Sequence, residues 1–294
     1  HAGTWVDLGN VHRLKGRNEE AEACYRRALG IDPDSEDAHL GVAVCDAAAG
    51  RENAAVERLQ NRVSVNHSPA VVQALVELLD RLQRYEDAKE LCVAVLACDP
   101  QHGAAQAALG FLFLKRDLKP DDALTCFDRA LATGYRDASV WSNRGIALQD
   151  LGRLDEALVS YEEALALMPN HTLARFHRSL TLLMRGEFAP AWPDYELRIS
   201  SRDRQAPPCD VPLWTGEPTQ DEILVYGEQG IGDEIMFASC VPDLLRLCPH
   251  LTIACSTKLE TLFRRSFPTA RVVDLVQARA LADGGDANWP RMIA

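Results

Sequence analysis

The sequence predicts a mainly α fold: an α-solenoid of helix pairs over residues 1–200, then a small, incomplete α/β unit. Three observations predict it. Alanine recurs at the period of one helix pair. Glycine, tyrosine and proline punctuate the chain at matching offsets. After residue 200 the helical period gives way to short apolar runs that alternate with helical stretches.

The alanines are Ala21, Ala55, Ala88, Ala123, Ala157 and Ala191, at intervals of 34, 33, 35, 34 and 34 residues. Four residues after each comes a larger side chain: Tyr25, Leu59, Cys92, Phe127, Tyr161 and Tyr195. Twelve residues before most of them lies a small one, Gly9, Ala43, Gly145 or Ser179, while Val76 breaks the rule and Gly110 lies thirteen before Ala123. Two antiparallel helices pack closely only where facing positions are small. Gly9 and Ala21 would let two backbones approach, and Tyr25 would fill the space toward the next helix. Pro33, Pro100 and Pro169 end the second helices, because proline lacks an N–H and disfavours helix at the residue before it. Turns such as Lys15-Gly16-Arg17 and Leu151-Gly152-Arg153 join each pair, with glycine accepting positive φ.

This pattern resembles the tetratricopeptide repeat. The fifth unit carries Trp141, Gly145, Leu148, Gly152, Ala157, Tyr161, Ala164 and Pro169; the first carries Trp5, Leu8, Gly9, Ala21, Tyr25, Ala28 and Pro33. The second unit departs from it, with Arg62 at a small position and His67 at the proline position. The fourth holds one extra residue, expected in its turn near Lys119-Pro120, and the sixth has Pro190 and Pro193 early in its second helix. The resemblance implies a right-handed solenoid that buries core only between neighbours. It also implies a concave groove of first helices that binds an extended peptide or a partner helix. The groove residues expected are Asn10, Arg13, Asn143, Gln149 and Arg178; the alternative for each is a plain solvated position. The Lys/Asn set with which some relatives clamp a tail carboxylate is not evident, so that ligand is not expected.

Composition narrows the partners. A net charge of −12 argues against general binding to nucleic acid or to anionic lipid, both of which need Lys and Arg. No apolar run approaches the ~18 residues of a membrane span, and no signal peptide is visible at His1–Trp5. The nine cysteines are odd in number and hold no C-x-x-C pair. They read as small buried hydrophobes in a reducing cytoplasm rather than as a metal site.

Residues 201–215, with Pro207-Pro208 and Pro212, read as a linker. Residues 216–276 then alternate. A strand is expected at Glu222–Tyr226, a Gly-rich loop at Gly227–Asp233, a helix at about Glu234–Leu247 and a strand at Leu251–Cys255. A helix at about Lys258–Ser266 and a strand at Arg271–Leu275 follow. Such alternation argues for a parallel sheet with right-handed crossovers, and the turn after its first strand is where ligands sit. The dinucleotide fingerprint fails, because Ile235 stands where a third glycine belongs; the Gly-Lys-Ser/Thr of a P-loop is absent. Residues 277–294 read as a tail with no further strand.

A second resemblance covers about residues 186–275. Gly186-Glu187-Phe188, Trp192, Tyr195, Glu196 and Arg198 are followed by Pro212, Trp214, Gly216 and Glu217, then by the run from Glu228 to Ala238. The set is similar to bacterial proteins that fuse tetratricopeptide repeats to a glycosyltransferase. That domain looks like glycosyltransferase family 9, the heptosyltransferases, whose architecture is two Rossmann-like domains (GT-B). The resemblance implies that Asp233 is the general base that takes the acceptor hydroxyl's proton in inverting transfer. Its alternative is a helix N-cap. Glu228, Gln229, Gly230 and Gly232 would bind ligand, or the first two would only shape the turn. Pro242 lies further from Asp233 than in the family.

Two classes of function therefore stay open. One is an interaction scaffold that holds a protein or peptide. The other is the front part of a glycosyltransferase, with a nucleotide-sugar as donor and no other cofactor. With one Rossmann-like unit these residues alone are not expected to transfer sugar. An incomplete parallel sheet would also need cover from the repeats, a second copy or further sequence.

Overall fold

The computed structural model describes residues 1–197, 211–212, 214–227, 230–283 and 291–293. The chain divides into two compact units, His1–Arg198 and Ile199–Ala294. The expected linker lies largely outside the described residues.

The first unit is six helix pairs: α1 (Ala2–Leu14) with α2 (Asn18–Ile31), α3 (Glu36–Ala48) with α4 (Glu52–Val65), and α5 (Pro69–Arg81) with α6 (Tyr85–Cys98). Then come α7 (Gly103–Leu112) with α8 (Pro120–Ala132), α9 (Ala138–Asp150) with α10 (Leu154–Leu167), and α11 (Thr172–Met184) with α12 (Phe188–Tyr195). Each helix packs on the next, and first helices also touch their successors, as α5 touches α7 and α9 touches α11. Three successive apolar clusters replace one central core, as a solenoid requires.

The close approach rests on aromatic rings lying over glycines. A Cβ on Gly9 or on Gly41 would stand 2.6 Å from the Tyr25 ring, and one on Gly145 would stand 2.5 Å from the Tyr161 ring. Tyr25, Tyr161 and Phe127 are fully buried. Gly41 was not among the small positions read from the sequence; it lets Tyr25 touch the following pair as well as its own. Where the second pair carries Arg62 at a small position, the side chain stays buried and its guanidinium donates to the Asp34 carboxylate (3.1 Å) and carbonyl (3.3 Å).

The turns within pairs need a left-handed residue. Gly16, Gly50, Gly152 and Gly186 supply it at φ between 73° and 80°, while Gln83 (φ 63°) and Leu118 (φ 52°) take it without being glycine. The extra residue of the fourth pair is not in the turn at Lys119-Pro120. It is absorbed one turn earlier, where Phe113–Asp117 winds as a π-turn, so the register of α8 is kept.

The second unit is a parallel sheet in the order β3-β2-β1-β4, with β1 (Ile223–Tyr226), β2 (Leu251–Cys255), β3 (Arg271–Asp274) and β4 (Arg291–Ile293). Ile223 pairs with Leu251 and with Arg291, and Thr252 pairs with Arg271. The expectation of a tail without a strand is thus corrected: residues 291–293 add to the free edge of β1. Every residue of β2 is buried, as expected of a strand covered on both faces. The single helix expected at 234–247 is instead α13 (Ile231–Phe237), a 3₁₀ turn (Ala238–Cys240) and α14 (Val241–Leu247). Pro242 is the reason, since its ring excludes the carbonyl four residues back. α15 (Glu260–Ser266) and α16 (Leu275–Asp283) complete the unit.

Candidate functional site

The first helices of the repeat unit leave small and apolar residues facing a groove. Between α5, α7 and α9 lies a cavity of about 260 Å³. Ala104, Ala107 and Ala108 on α7 line it, with Phe111, Val76 and Val140 as apolar neighbours. Polar residues stand around this patch: Glu77 and Asp80 on α5, Tyr135 and Asp137 before α9, and Asn143 on α9. A second cavity, of about 150 Å³, is lined by Leu40, Val44 and Ala47 on α3 and by Ala74, Glu77 and Arg81 on α5. Glu77 borders both, so the two lie side by side along the first helices.

The expected groove residues fare differently. Asn143 lines the larger cavity. Asn10 accepts the Tyr25 hydroxyl (2.8 Å), and Gln149 accepts both the Tyr161 hydroxyl and the Thr181 hydroxyl, each at 3.0 Å. Arg178 pairs with Asp194, which is buried and also takes the Arg175 guanidinium at 2.6 Å. These three side chains therefore have internal partners that hold helix to helix. Arg13 is exposed and lies close enough to lower the Tyr25 phenol's pKa, against the larger upward push of burial.

Sequence reasoning missed Val44, Glu77 and Phe111. A signal was present: each directly follows the small-position residue of its pair, Ala43, Val76 and Gly110, as Asn10 follows Gly9. A helix that turns its small residue onto its partner turns the next residue about 100° away, toward the open side.

Electrostatics differ along the groove. Burial, with Asp137 and Glu77 nearby, raises the Tyr135 pKa and keeps the phenol protonated. Burial also raises the Asp150 carboxyl, which Lys115 opposes. His177 is pushed down to about 4, chiefly by burial, and is neutral near pH 7.

In the second unit Gly230 precedes α13, and its carbonyl accepts the N–H groups of Asp233 (3.0 Å) and Glu234 (3.1 Å). Gly230, not Asp233, therefore occupies the cap position. Asp233 lies in the first turn, where a carboxylate favours the positive end of the helix. A Cβ on Gly230 would lie 3.9 Å from the Asp233 carboxylate, and Gly232 has open space around it. Glu228 and Gln229 lie outside the described residues. Glu234 was missed by the sequence reading: it is buried, and its carboxylate accepts the Ser256 N–H (2.9 Å) and hydroxyl, tying the end of β2 to α13. It also fills the space beside Gly227 where a Cβ would be. Beyond β2, a cavity of about 470 Å³ is lined by Ile231, Ser256, Thr257, Lys258, Val276 and Arg279. No group of three or more His, Cys, Asp or Glu among the described residues could hold a metal, and no described helix is long and apolar enough to cross a membrane.

Known proteins match the repeat pattern. The tetratricopeptide repeat profile matches residues 2–35 and 138–171, the first and fifth pairs. The chain is 30% identical over 203 residues to Protein FlbA of Caulobacter vibrioides, covering 66% of this chain and 34% of that protein. It is 25% identical over 200 residues to the peroxisomal targeting signal receptor of Candida albicans, covering 65% and 34%. The chain thus spans about a third of the length of these curated relatives. Among solved structures, Pseudomonas aeruginosa pilF superposes with a TM-score of 0.53 at 20% identity, over 67% of this chain and 90% of that one, which is likeness of fold.

Proposed function

We propose that this tetratricopeptide array is a protein-interaction scaffold whose first helices hold an extended segment of a partner protein. The observation that carries the reading is the pair of neighbouring cavities along α3, α5, α7 and α9 that share Glu77, with half-buried Phe111 and exposed Val44 on them. Apolar surface left open beside polar groups is what a peptide site needs: the apolar patches give affinity and the polar rim gives orientation. The name of the Candida relative, a targeting signal receptor, fits the same use. Of the residues expected from the sequence, Asn143 is proposed to touch the partner directly. Asn10, Gln149 and Arg178 are proposed to act by positioning helices, and Arg13 to stand at the groove's end. The test is selection of displayed peptides on the protein. Phe111→Glu and Asn143→Ala should each weaken the selected peptides, and Glu162→Ala, on the exposed face of α10, should not. Equal binding by all three variants would refute the groove.

A second reading concerns the second unit. The parallel sheet, the Gly230–Asp233 turn after β1 and the resemblance to glycosyltransferase family 9 favour an acceptor-binding half of an inverting sugar transferase. In this reading Asp233 takes the acceptor hydroxyl's proton, and the bond to the leaving nucleotide breaks as the new glycosidic bond forms. Nucleotide-sugar turnover by the uninterrupted reading frame that contains these residues tests it. Asp233→Asn should abolish turnover while leaving the fold intact; full activity in that variant would remove Asp233 from the chemistry.

A further inference from the structure

The larger groove cavity has a charge that a partner must match. Its alanine patch leaves room for a side chain. Two carboxylates border the space from different elements: Glu77 on α5 and Asp137 at the start of α9. Among the described residues, both are engaged only with neutral groups. Glu77 accepts the Gln73 amide (2.9 Å), and Asp137 accepts the Ser139 N–H (2.6 Å). The third carboxylate, Asp80, is already neutralised by the forked guanidinium of Arg116 (2.8 and 2.9 Å). Among the described residues, no lysine or arginine lines this cavity.

We infer that the groove between α5, α7 and α9 takes an extended peptide whose lysine or arginine side chain sits between Glu77 and Asp137. The inference rests on the groove reading above and names its partner's chemistry. A cation there meets two carboxylates, while its aliphatic stem lies on the alanine patch and Phe111. The Tyr135 ring, half-buried beside Asp137, offers a π face and a protonated hydroxyl. An acidic or carboxylate-led peptide would instead meet repulsion in this cavity, the nearest lining arginine being Arg81 of the neighbouring one. First helices of neighbouring pairs pack about 10 Å apart, which an extended chain crosses in about three residues. The apolar cavity lined by Leu40, Val44 and Ala47, about one and a half spacings from the level of α7, therefore suits an apolar side chain about four to five residues from the basic one.

The test is a synthetic decapeptide array in which each position is fixed in turn as Lys, Arg, Glu, Leu or Ala. It is probed with the whole 294-residue chain and followed by fluorescence anisotropy on the selected peptides. Lysine and arginine should be selected at one position, with an apolar residue about four to five places away. Glu77→Gln combined with Asp137→Asn should weaken those peptides about tenfold, leave helix content unchanged, and flatten the salt dependence. Ala108→Trp, which fills the cavity, should block every groove peptide. Selection of acidic or neutral peptides, or no loss in the double variant, with Ala108→Trp still blocking, overturns this inference and leaves the groove standing. Binding untouched by Ala108→Trp overturns both.

Discussion

Two substitutions of identical chemistry should have opposite effects. Gly145→Ala places a methyl 2.5 Å from Cε1 of Tyr161 and 2.8 Å from its Cδ1 and Cζ. Carbon atoms want about 3.5–4.0 Å, so the ring or helix α9 must move by about 1 Å. The ring has little freedom, because Tyr161 is fully buried and its hydroxyl is tied to Gln149. Overpacking of this kind costs about 1–3 kcal/mol. Alanine's better helix propensity returns about 1 kcal/mol, leaving a net loss of about 1 kcal/mol. Gly30→Ala, near the end of α2, meets nothing within 4 Å and sits on an exposed face. It should keep the whole propensity gain, about 0.5–1 kcal/mol. Urea unfolding followed by circular dichroism gives the two signs. Hydrogen exchange should place the Gly145→Ala loss in α9 and α10, because repeat arrays open in parts. A neutral or stabilising Gly145→Ala would refute the argument that glycine is there for ring packing.

Further outcomes follow from burial and backbone geometry. His177 titrates near 4 in the fold and near 6.5 when unfolded, so its contribution is complete above pH 6.5 and lost as pH falls through 4. That loss amounts to about 3 kcal/mol at most, and His177→Phe should flatten this part of the stability–pH curve, measured as Tm against pH. Burial pushes the Cys92 and Cys255 thiols up to about 12 and Cys126 to about 11, whereas Cys98 and Cys240 are exposed. Iodoacetamide at pH 8 should label Cys98 and Cys240 and spare the other three, read by peptide mass. Leu118 holds φ 52° with its side chain 79% exposed, so Leu118→Gly should raise stability by about 1 kcal/mol, seen as a higher urea midpoint.

The repeats were legible because their packing rule is local and periodic: Gly9, Ala21 and Tyr25 need one another at fixed spacing, and so do Gly145, Ala157 and Tyr161. Where the rule was satisfied in another way, the sequence misled. The extra residue before Ala123 could have entered a turn or a helix, and only the packing of Phe127 on Gly110 shows that the π-turn at Phe113–Asp117 takes it. Gln149 and Asn10 looked like groove residues because they are polar on first helices. Their tyrosine partners lie 12 and 15 residues away, across a helix pair, a distance that single-helix periodicity does not report. Glu234 is a similar case, as its partner Ser256 is 22 residues on. Strand β4 is three residues long and carries no alternation of its own, so only its pairing with β1 defines it.

The measurement closest to the central claim is site-specific photocrosslinking of a selected peptide to the intact chain. A benzoylphenylalanine placed at Phe111, in the groove, is expected to capture the peptide, and one placed at Val159, exposed on α10, is expected not to. Capture at Val159 with none at Phe111 would contradict the account and move the partner to the outer face.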